Sequence, residues 1–283
     1  MKIGAHVSAA GGLEKSIDRA LALGAETIQI FATGPQSWRP STHSDGEIAA
    51  FRRRAAEAGI SPIFVHGVYL INLASTDPVL VNRSVGSLKQ YLAFAAKAGA
   101  AGVIFHIGSH KGAGFPAVLP QIVRAIGEVL QDIPEAALIL ENSAGQGDSV
   151  GSRFAEIGAI IQAVGSPRVR VCLDTCHCFA AGYDVRTPSG VAAMVAEFER
   201  EVGLERLVAV HANDSKAGLG AGVDRHENIG LGQIGEDGFR AVLAHPAFRG
   251  TPFILEVPGF NGEGPDKANV EILKRLAAEV GAR

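Results

Sequence analysis

The chain has 283 residues, of which 47% are hydrophobic and 19% charged, and its formal net charge is −3. This composition excludes an intrinsically disordered chain, which combines low hydrophobicity with high net charge. Three cysteines are too few to stabilise a chain of this length through disulfide bonds, which excludes a disulfide-rich scaffold. The weak negative net charge also differs from the positive net charge that is typical of nucleic-acid-binding domains.

Short apolar, β-branched segments alternate along the chain with longer segments of helical periodicity. The predicted strands are residues 2–6, 27–31, 62–66, 102–106, 137–141, 169–174, 207–211 and 252–256. The predicted helices are residues 13–23, 46–58, 78–98, 117–130, 153–164, 190–202, 235–243 and 266–280. Four glycines stand where helices are expected to end, namely Gly24, Gly59, Gly99 and Gly165.

Continuous apolar strands alternating with helices indicate a parallel sheet that is covered on both faces. Eight strand–helix units in a chain close to the typical ~250 residues predict an α/β fold of the (β/α)8 TIM-barrel type. No linker or low-complexity tract divides the sequence, so a single domain over residues 1–283 is expected. A doubly wound open sheet is the alternative, but the segment VSAAGG after the first strand matches its phosphate loop poorly.

The cysteines Cys172, Cys176 and Cys178 lie too close together for easy disulfide pairing, which suits a reducing compartment. We expect packing rather than metal ligation for all three, with Cys172 on the same side of its strand as Asp174. The N-terminus has no sustained apolar region of a signal peptide, and no stretch approaches ~18 uninterrupted apolar residues. We therefore expect a cytoplasmic protein without a membrane span.

Seven of the eight predicted strands end on a side chain that can bind a metal or move a proton. The final residues are His6, Phe31, His66, His106, Glu141, Asp174, His211 and Glu256. In a barrel of this type all the carboxyl ends point to one face, which carries the active site. The loops beyond add three candidates, namely His177, Asp224 and His226. We interpret His6 as a group that orients a ligand rather than as a ligand.

These imidazoles and carboxylates together indicate a multinuclear metal site. Such ligands suit Zn²⁺, Mn²⁺ or iron, and the number of histidines favours Zn²⁺. Carboxylates gathered in a partly buried cavity oppose one another's ionisation unless cations are present. Two metals about 3.5–4 Å apart would hold a bridging hydroxide and grip a phosphoryl oxygen, as in hydrolytic two-metal sites.

Six longer motifs closely resemble the endonuclease IV family of abasic-site DNA repair enzymes. They are IGAHVSAAGG (3–12), HGVYLINLAS (66–75), ENSAGQG (141–147), VCLDTCHCFAAGYDVRTP (171–188), HANDSK (211–216) and DRHENIGLGQIG (224–235). The resemblance extends along the whole chain, and it implies a (β/α)8 barrel that carries three Zn²⁺ ions, with Mn²⁺ as an option at one site. The implied ligands form three groups: His66, His106 and Glu141; Glu141 with Asp174, His211 and Glu256; and His177, Asp224 and His226.

The reaction implied by the resemblance is hydrolysis of the DNA phosphodiester 5′ to an abasic site, leaving a 3′-hydroxyl and a 5′-deoxyribose phosphate. Glu141 would be the catalytic bridging carboxylate, and a metal-bridging hydroxide would be the nucleophile. The resemblance also implies removal of blocking groups from 3′ ends. The expected partner is damaged double-stranded DNA, and we expect a monomer without an obligate protein partner.

Six loop residues are candidates for contact with DNA. They are Gln36, Trp38 (also a candidate loop anchor), Tyr69, Leu70, Lys216 and Arg225. Tyr69 and Leu70 match the family position whose side chains enter the minor groove, although ordinary loop packing is the alternative. Lys216 and Arg225 flank predicted ligands and could meet phosphates. Gln36 departs from the family, in which an Arg is common at this position.

Two other functions stay open at this point. A metal-dependent sugar isomerase or epimerase on a xylose-isomerase-like barrel would also place His, Glu and Asp at strand ends. It would need only one or two metals and a small polar pocket, so the third ligand group and the loop of Tyr69 and Leu70 favour the nuclease. A non-catalytic protein that binds damaged DNA should have lost ligands, and none is lost here.

Overall fold

Eight parallel strands of the computed structural model close into a barrel, in the order β1-β10-β7-β6-β5-β4-β3-β2, and two short strands form a separate hairpin. The structure describes residues 1–133 and 135–282. The barrel strands are β1 (Ile3–His6), β2 (Ile28–Phe31), β3 (Ile63–His66), β4 (Gly102–His106), β5 (Ala137–Glu141), β6 (Val169–Asp174), β7 (Leu207–His211) and β10 (Phe253–Leu255). The hairpin consists of β8 (Asp214–Ser215) and β9 (His226–Glu227). The predicted barrel is confirmed, and the alternative of a doubly wound open sheet is wrong.

The helices pack side by side around the barrel, and the last helix returns to contact the first. They are α1 (Leu13–Leu23), α2 (Asp45–Glu57), α3 (Pro78–Ala98), α4 (Phe115–Asp132), α5 (Phe154–Val164), α6 (Thr175–Ala180), α7 (Pro188–Glu201), α8 (Gly235–Ala244) and α9 (Lys267–Glu279). Three of the four predicted glycine stops, Gly24, Gly99 and Gly165, are confirmed as left-handed caps, a conformation that glycine takes without strain. The helix α2 has its cap at Ala58, and Gly59 follows it with a positive φ of 69°. None of the helices in the described ranges is long and apolar enough to cross a membrane.

The barrel interior is filled by a small apolar layer directly beneath the strand ends. Its members are Phe64, Ile104, Ile139, Cys172, Ala209 and Ile254. Each lies two residues before one of the predicted site residues, so it shares a face of its strand with that residue. Cys172 is fully buried in this layer, on the side of Asp174 as expected. The same level of the two remaining strands is occupied by Gly4 and Gln29.

Two elements near the strand ends were not predicted, and both position candidate ligands. The short helix α6 begins directly after β6, where the Asp174 carboxylate accepts a hydrogen bond of 2.9 Å from the backbone N–H of His177. The β8–β9 hairpin pairs Ser215 with His226. The buried carboxylate of Asp214 accepts backbone N–H groups from the following loop, including that of Gly230. These local hydrogen bonds give the loops fixed positions relative to the barrel.

The packing of α5 against α7 depends on the absence of a side chain at Gly158. A Cβ atom there would lie 2.0 Å from the carbonyl oxygen of Glu201. We expect Gly158→Ala to lower the free energy of unfolding by about 1–3 kcal/mol, because the helices must move apart. Gly127 in α4 has open space around its Cβ position, so Gly127→Ala should raise that free energy by about 0.4–1 kcal/mol. Urea denaturation of both variants checks this, and equal midpoints would contradict the close approach.

Candidate metal centre

The carboxylate of Glu141 lies at the centre of the site, at the end of β5, and is buried. One oxygen, Oε2, lies 3.2 Å from His66 Nε2 and 3.6 Å from His106 Nδ1. The other, Oε1, lies 3.0 Å from His211 Nδ1 and 3.4 Å from His177 Nδ1. Burial by itself raises the pKa of Glu141, but the surrounding imidazoles hold it well below its ordinary value. Glu141 is therefore an ionised carboxylate with one oxygen directed to each of two histidine groups.

A second group forms on one side of Glu141 from residues of β6, β7 and the end of β10. His211 Nδ1 lies 3.3 Å from Glu256 Oε2 and 3.9 Å from Asp174 Oδ2. Ligand atoms of Glu141, Asp174, His211 and Glu256 all lie within 4.8 Å of one another. Burial raises the pKa of Glu256, but the nearby charge of His211 holds it below its ordinary value. Three carboxylates thus face a single imidazole in this group.

A third group forms around Asp224, in the loop that precedes β9. Its two oxygens lie 3.2 Å from His177 Nε2 and 3.2 Å from His226 Nε2. Asp174 also reaches this group, because its Oδ2 lies 3.6 Å from His226 Nε2. Burial lowers the pKa of both histidines, but the nearby carboxylates outweigh it and raise them to about 10 for His177 and about 9 for His226. Cys176 is a further possible donor beside Asp224 and His226, although its thiol pKa is raised by burial.

The hydrogen bonds of the histidines test whether these residues fit metal ions. A backbone carbonyl can only accept, so a ring nitrogen bonded to one must carry the proton. His66 Nδ1 donates to the carbonyl of Gly67 at 2.7 Å, and His177 Nδ1 donates to that of Asn142 at 2.9 Å. The opposite nitrogens are therefore the ones left for a cation, which would displace any proton that they carry. Among the described residues, Nε2 of His177 and Nε2 of His226 are buried, and although each lies 3.2 Å from an Asp224 oxygen, neither has a partner in hydrogen-bond geometry.

These observations fit divalent cations. Oriented imidazoles whose second nitrogen is hydrogen-bonded are the usual arrangement of histidine ligands. Nitrogen and carboxylate donors suit Zn²⁺, and also Mn²⁺ or iron. The nine predicted ligands are thus brought together in three overlapping groups: His66, His106 and Glu141; Glu141, Asp174, His211 and Glu256; and Asp174, His177 and His226, with Asp224 between the last two. His6 is in none of these groups.

A cavity of ≈ 430 Å³ opens above the centre and is lined by candidate ligands and by Tyr69. The Tyr69 side chain is 54% exposed, and its ring packs edge-on against His66 and Phe31 at centroid distances of 5.7 and 5.4 Å. The backbone N–H of Tyr69 donates to the carbonyl of Pro35 at 3.0 Å, which ties the third loop to the second. Leu70 is half-buried and packs against the core.

The other candidates for contact with DNA lie in different surroundings. Gln36 and Arg225 are exposed. Trp38 is half-buried against the core, and the guanidinium of Arg83 lies 5.3 Å from the centre of its ring, so it anchors its loop. Lys216 Nζ lies 3.8 Å from a carboxylate oxygen of Glu227.

Three amides that sequence reasoning missed also contact the candidate ligands. Asn213 donates to Asp174 Oδ2 at 2.7 Å, and its side-chain oxygen accepts the backbone N–H of Glu256 at 2.8 Å. Asn142 accepts the backbone N–H of Asp174 at 2.7 Å. Gln29, inside β2, bonds to candidate ligands as well. Two sequence signals could have identified these amides. Asn142 and Asn213 closely follow the strand-end residues Glu141 and His211, and Gln29 is the one amide within an otherwise apolar strand.

Comparison with known proteins adds an independent observation. A family model described as a xylose isomerase-like TIM barrel matches residues 17–277. A protein of Methanoculleus marisnigri, named probable endonuclease 4, is 41% identical over 278 residues, covering 97% of this chain and 98% of that protein. This chain belongs to the endonuclease IV family. The crystal structure of endonuclease IV from Thermus thermophilus superposes with a TM-score of 0.87 at 36% identity, covering 99% of this chain and 100% of that one.

More distant structures share only the barrel with this member of the endonuclease IV family. A D-tagatose 3-epimerase-like protein superposes with a TM-score of 0.75, but it is 19% identical over 99% of this chain and 98% of that one. At this identity the likeness concerns the fold. The barrel alone therefore does not separate a nuclease from an epimerase, whereas the sequence identity to endonuclease IV proteins does.

Metal ions should stabilise the folded protein, because the ligand groups exist only when the barrel is closed. At a free Zn²⁺ concentration about 100 times the dissociation constant, each site should contribute about 2.7 kcal/mol to the free energy of unfolding. Melting temperatures measured with Zn²⁺ and after prolonged chelation check this expectation. A melting temperature that does not respond to metal would contradict the assignment of these residues as ligands.

Proposed function

We propose that this chain is a zinc-dependent abasic-site endonuclease of base excision DNA repair. It would hydrolyse the phosphodiester 5′ to an abasic site, leaving a 3′-hydroxyl and a 5′-deoxyribose phosphate, and would also remove 3′-blocking groups. The observation that carries the proposal is the buried Glu141 carboxylate, whose two oxygens face different histidine groups beneath an open cavity. Membership of the endonuclease IV family supports it.

Three Zn²⁺ ions would be held by the nine predicted ligands, with Glu141 bridging two of them and Mn²⁺ an option at one site. Bound there, the ions supply the hydrolytic nucleophile and compensate the negative charge of the phosphodiester. Asp174 lies within reach of both His211 and His226, so it would hold the second and third groups at a fixed separation. The backbone carbonyls that orient His66 and His177 keep the ligand nitrogens directed inward before any substrate arrives.

The face that carries the centre has the character of a surface for a macromolecular substrate. Of the seven exposed large hydrophobic side chains among the described residues, five lie in connections that follow barrel strands. These five are Tyr69, Leu219, Val223, Leu231 and Phe260. Side chains on the loops that surround a strand-end site are well placed to contact a substrate. We propose that Tyr69 and Leu70 occupy the minor groove beside the abasic nucleotide, and that Lys216 and Arg225 meet phosphates.

The charge of the chain is compatible with this substrate once the metals are counted. The formal net charge of −3 describes the protein without ions. Three divalent cations add six positive charges, which reverses the sign of the total, and all of them would lie on the face that meets the phosphates. Contact of Trp38 and Gln36 with DNA stays a prediction. The expected monomeric state and cytoplasmic location are also predictions.

Incision of a defined duplex tests the proposed reaction. The purified protein loaded with Zn²⁺ should cut a duplex with a single abasic site on its 5′ side, and prolonged chelation should abolish the cut. Glu141→Gln should fold but lose its activity, because the change weakens the contact to both histidine groups. Removal of a residue that only supports a metal ligand costs up to roughly 100-fold in activity, so the loss here should be at least that large. Glu57→Gln, an exposed carboxylate of α2, is the matched control and should cut at the wild-type rate.

No incision by the metal-loaded wild-type protein would overturn the proposed activity. Wild-type rates for Glu141→Gln would show instead that the metal assignment is wrong. A single tightly bound metal ion per chain, together with turnover of a ketose or aldose, would favour the isomerase alternative.

The exposed Gln36 offers a test of the DNA-facing surface. Gln36→Arg should add one phosphate contact, so the logarithm of the DNA association constant should fall more steeply with the logarithm of salt concentration, by about 0.9 in slope. Gln162→Arg adds the same charge at an exposed position of α5 on the outer layer, and it should leave the slope unchanged. Fluorescence anisotropy at several salt concentrations measures both slopes. Equal slopes for the two variants would place Gln36 outside the interface.

A further inference from the structure

The side chain of Gln29 is an amide in the interior layer of the barrel, where six neighbouring strands supply apolar or thiol side chains. It is fully buried, and its strand position pairs with His6 of β1 on one side and with Phe64 of β3 on the other. A buried amide without partners costs free energy, so its hydrogen bonds decide whether the position is tolerated.

All three hydrogen bonds of the Gln29 amide in the described part of the chain go to side chains of the candidate centre. Its Oε1 lies 2.8 Å from Nε2 of His211. Its Nε2 lies 2.5 Å from Oε1 of Glu256 and 2.8 Å from Nδ1 of His6. None of these bonds supports the backbone of the barrel, so the amide acts on the centre and not on the fold.

The partners leave only one orientation for this amide. An ionised carboxylate can only accept, so the NH2 end of Gln29 must face Glu256 and the carbonyl end must face His211. The carbonyl oxygen in turn can only accept, so Nε2 of His211 must carry the proton. An imidazole that binds a cation through one nitrogen keeps its proton on the other, so Nδ1 is the nitrogen of His211 left for a metal ion.

The atoms of His211 and Glu256 that Gln29 leaves for a cation lie close together. His211 Nδ1 lies 3.0 Å from Glu141 Oε1 and 3.3 Å from Glu256 Oε2. Because Gln29 occupies Glu256 Oε1, the oxygen left available to a cation is Oε2, which is the one near His211 Nδ1. A single amide therefore selects both the nitrogen of His211 and the oxygen of Glu256 that face the second ligand group.

We propose that Gln29 is a positioning residue that fixes the tautomer of His211 and the rotation of the Glu256 carboxylate, and so sets the affinity of the second metal site. The inference rests on the proposed function in assuming that this centre holds metal ions. His6 completes the arrangement, since its Nδ1 accepts the second N–H of the same amide. The first and third groups do not touch Gln29, so their affinities do not depend on it.

Metal affinity of the protein tests this role without any measurement of catalysis. Gln29→Met keeps the size of the side chain and removes its hydrogen bonds. Competition with a chromophoric chelator for Zn²⁺ should show one site weakened by about 10- to 100-fold, the range found when the hydrogen-bond partner of a metal ligand is removed. The remaining sites should keep their wild-type affinity.

Gln121→Met is the matched control. The amide of Gln121 donates to the backbone carbonyls of Leu73 and Ser75 at 2.8 and 2.9 Å and does not contact the centre. Its loss should lower the melting temperature but leave all metal affinities unchanged. If Gln29→Met binds every ion as the wild type does, the proposed role of Gln29 is wrong.

A measurement on the wild-type protein keeps the proposal testable even if Gln29→Met fails to fold. Nitrogen-15 NMR of the histidine rings in the zinc-loaded protein should show His211 protonated at Nε2, with Nδ1 bound to metal. Protonation at Nδ1 would overturn the inference. A wild-type protein that binds no metal would instead overturn the proposed function, so the two failures are distinguishable.

Discussion

The closure of the hydrogen-bonded barrel is the constraint on which the centre depends. β1 pairs with β10 on one side, with Ile3 opposite Phe253, and with β2 on the other, with Ala5 opposite Ile28. Without these two ladders the sheet would have open edges, and the first and last strands would lie far apart. With them, His6 and Glu256 come within 3.5 Å although they stand at opposite ends of the chain. Parallel strands also carry their final residues to the same rim.

Closure of the barrel brings several charged side chains together, and hydrogen bonds fix the orientation of the histidine rings among them. Four carboxylates meet at this rim: Glu141, Asp174, Asp224 and Glu256. Each lies beside an imidazole, and three of these imidazoles have their outer nitrogen bonded to an oxygen acceptor, either a backbone carbonyl or Gln29. The opposite ring nitrogens are thereby directed inward, toward the carboxylates. Such a concentration of charge is unfavourable by itself and would be stabilised by cations, which would couple metal binding to folding.

Substrate recognition would then fall to side chains that the barrel does not need. Tyr69 is held at the rim by edge-on contacts with His66 and Phe31, yet more than half of it is exposed. Because its loop is tied to the loop of Pro35 by a backbone hydrogen bond, the two loops should respond together to a bound duplex. This division, with fixed ligands on strand ends and adaptable side chains on loops, allows a common barrel to serve different chemistries.

The sequence by itself determined the architecture and most of the candidate ligands. Strand and helix bounds followed from apolar periodicity and glycine stops, and they agree with the structure to within two residues at each end. The strand-end residues were readable because seven of the eight predicted strands end on a side chain that can bind a metal or move a proton, and a barrel brings all these ends to one face. His177, Asp224 and His226 lie outside the barrel strands and were candidates by their place in the loops, and the family resemblance implied that they form one group.

Only the tertiary structure decided how these residues share the centre. Asp174 reaches both the second and the third group because α6 begins at its own carboxylate and brings His177 back over the rim, a local turn that periodicity does not reveal. The role of Gln29 could not be predicted from the sequence, because its strand ends on Phe31, which carries no metal-binding atom. Its partners His211 and Glu256 are also far away along the chain. Hydrogen-bond direction is a property of atoms in contact, and contact between distant residues exists only once the barrel has closed.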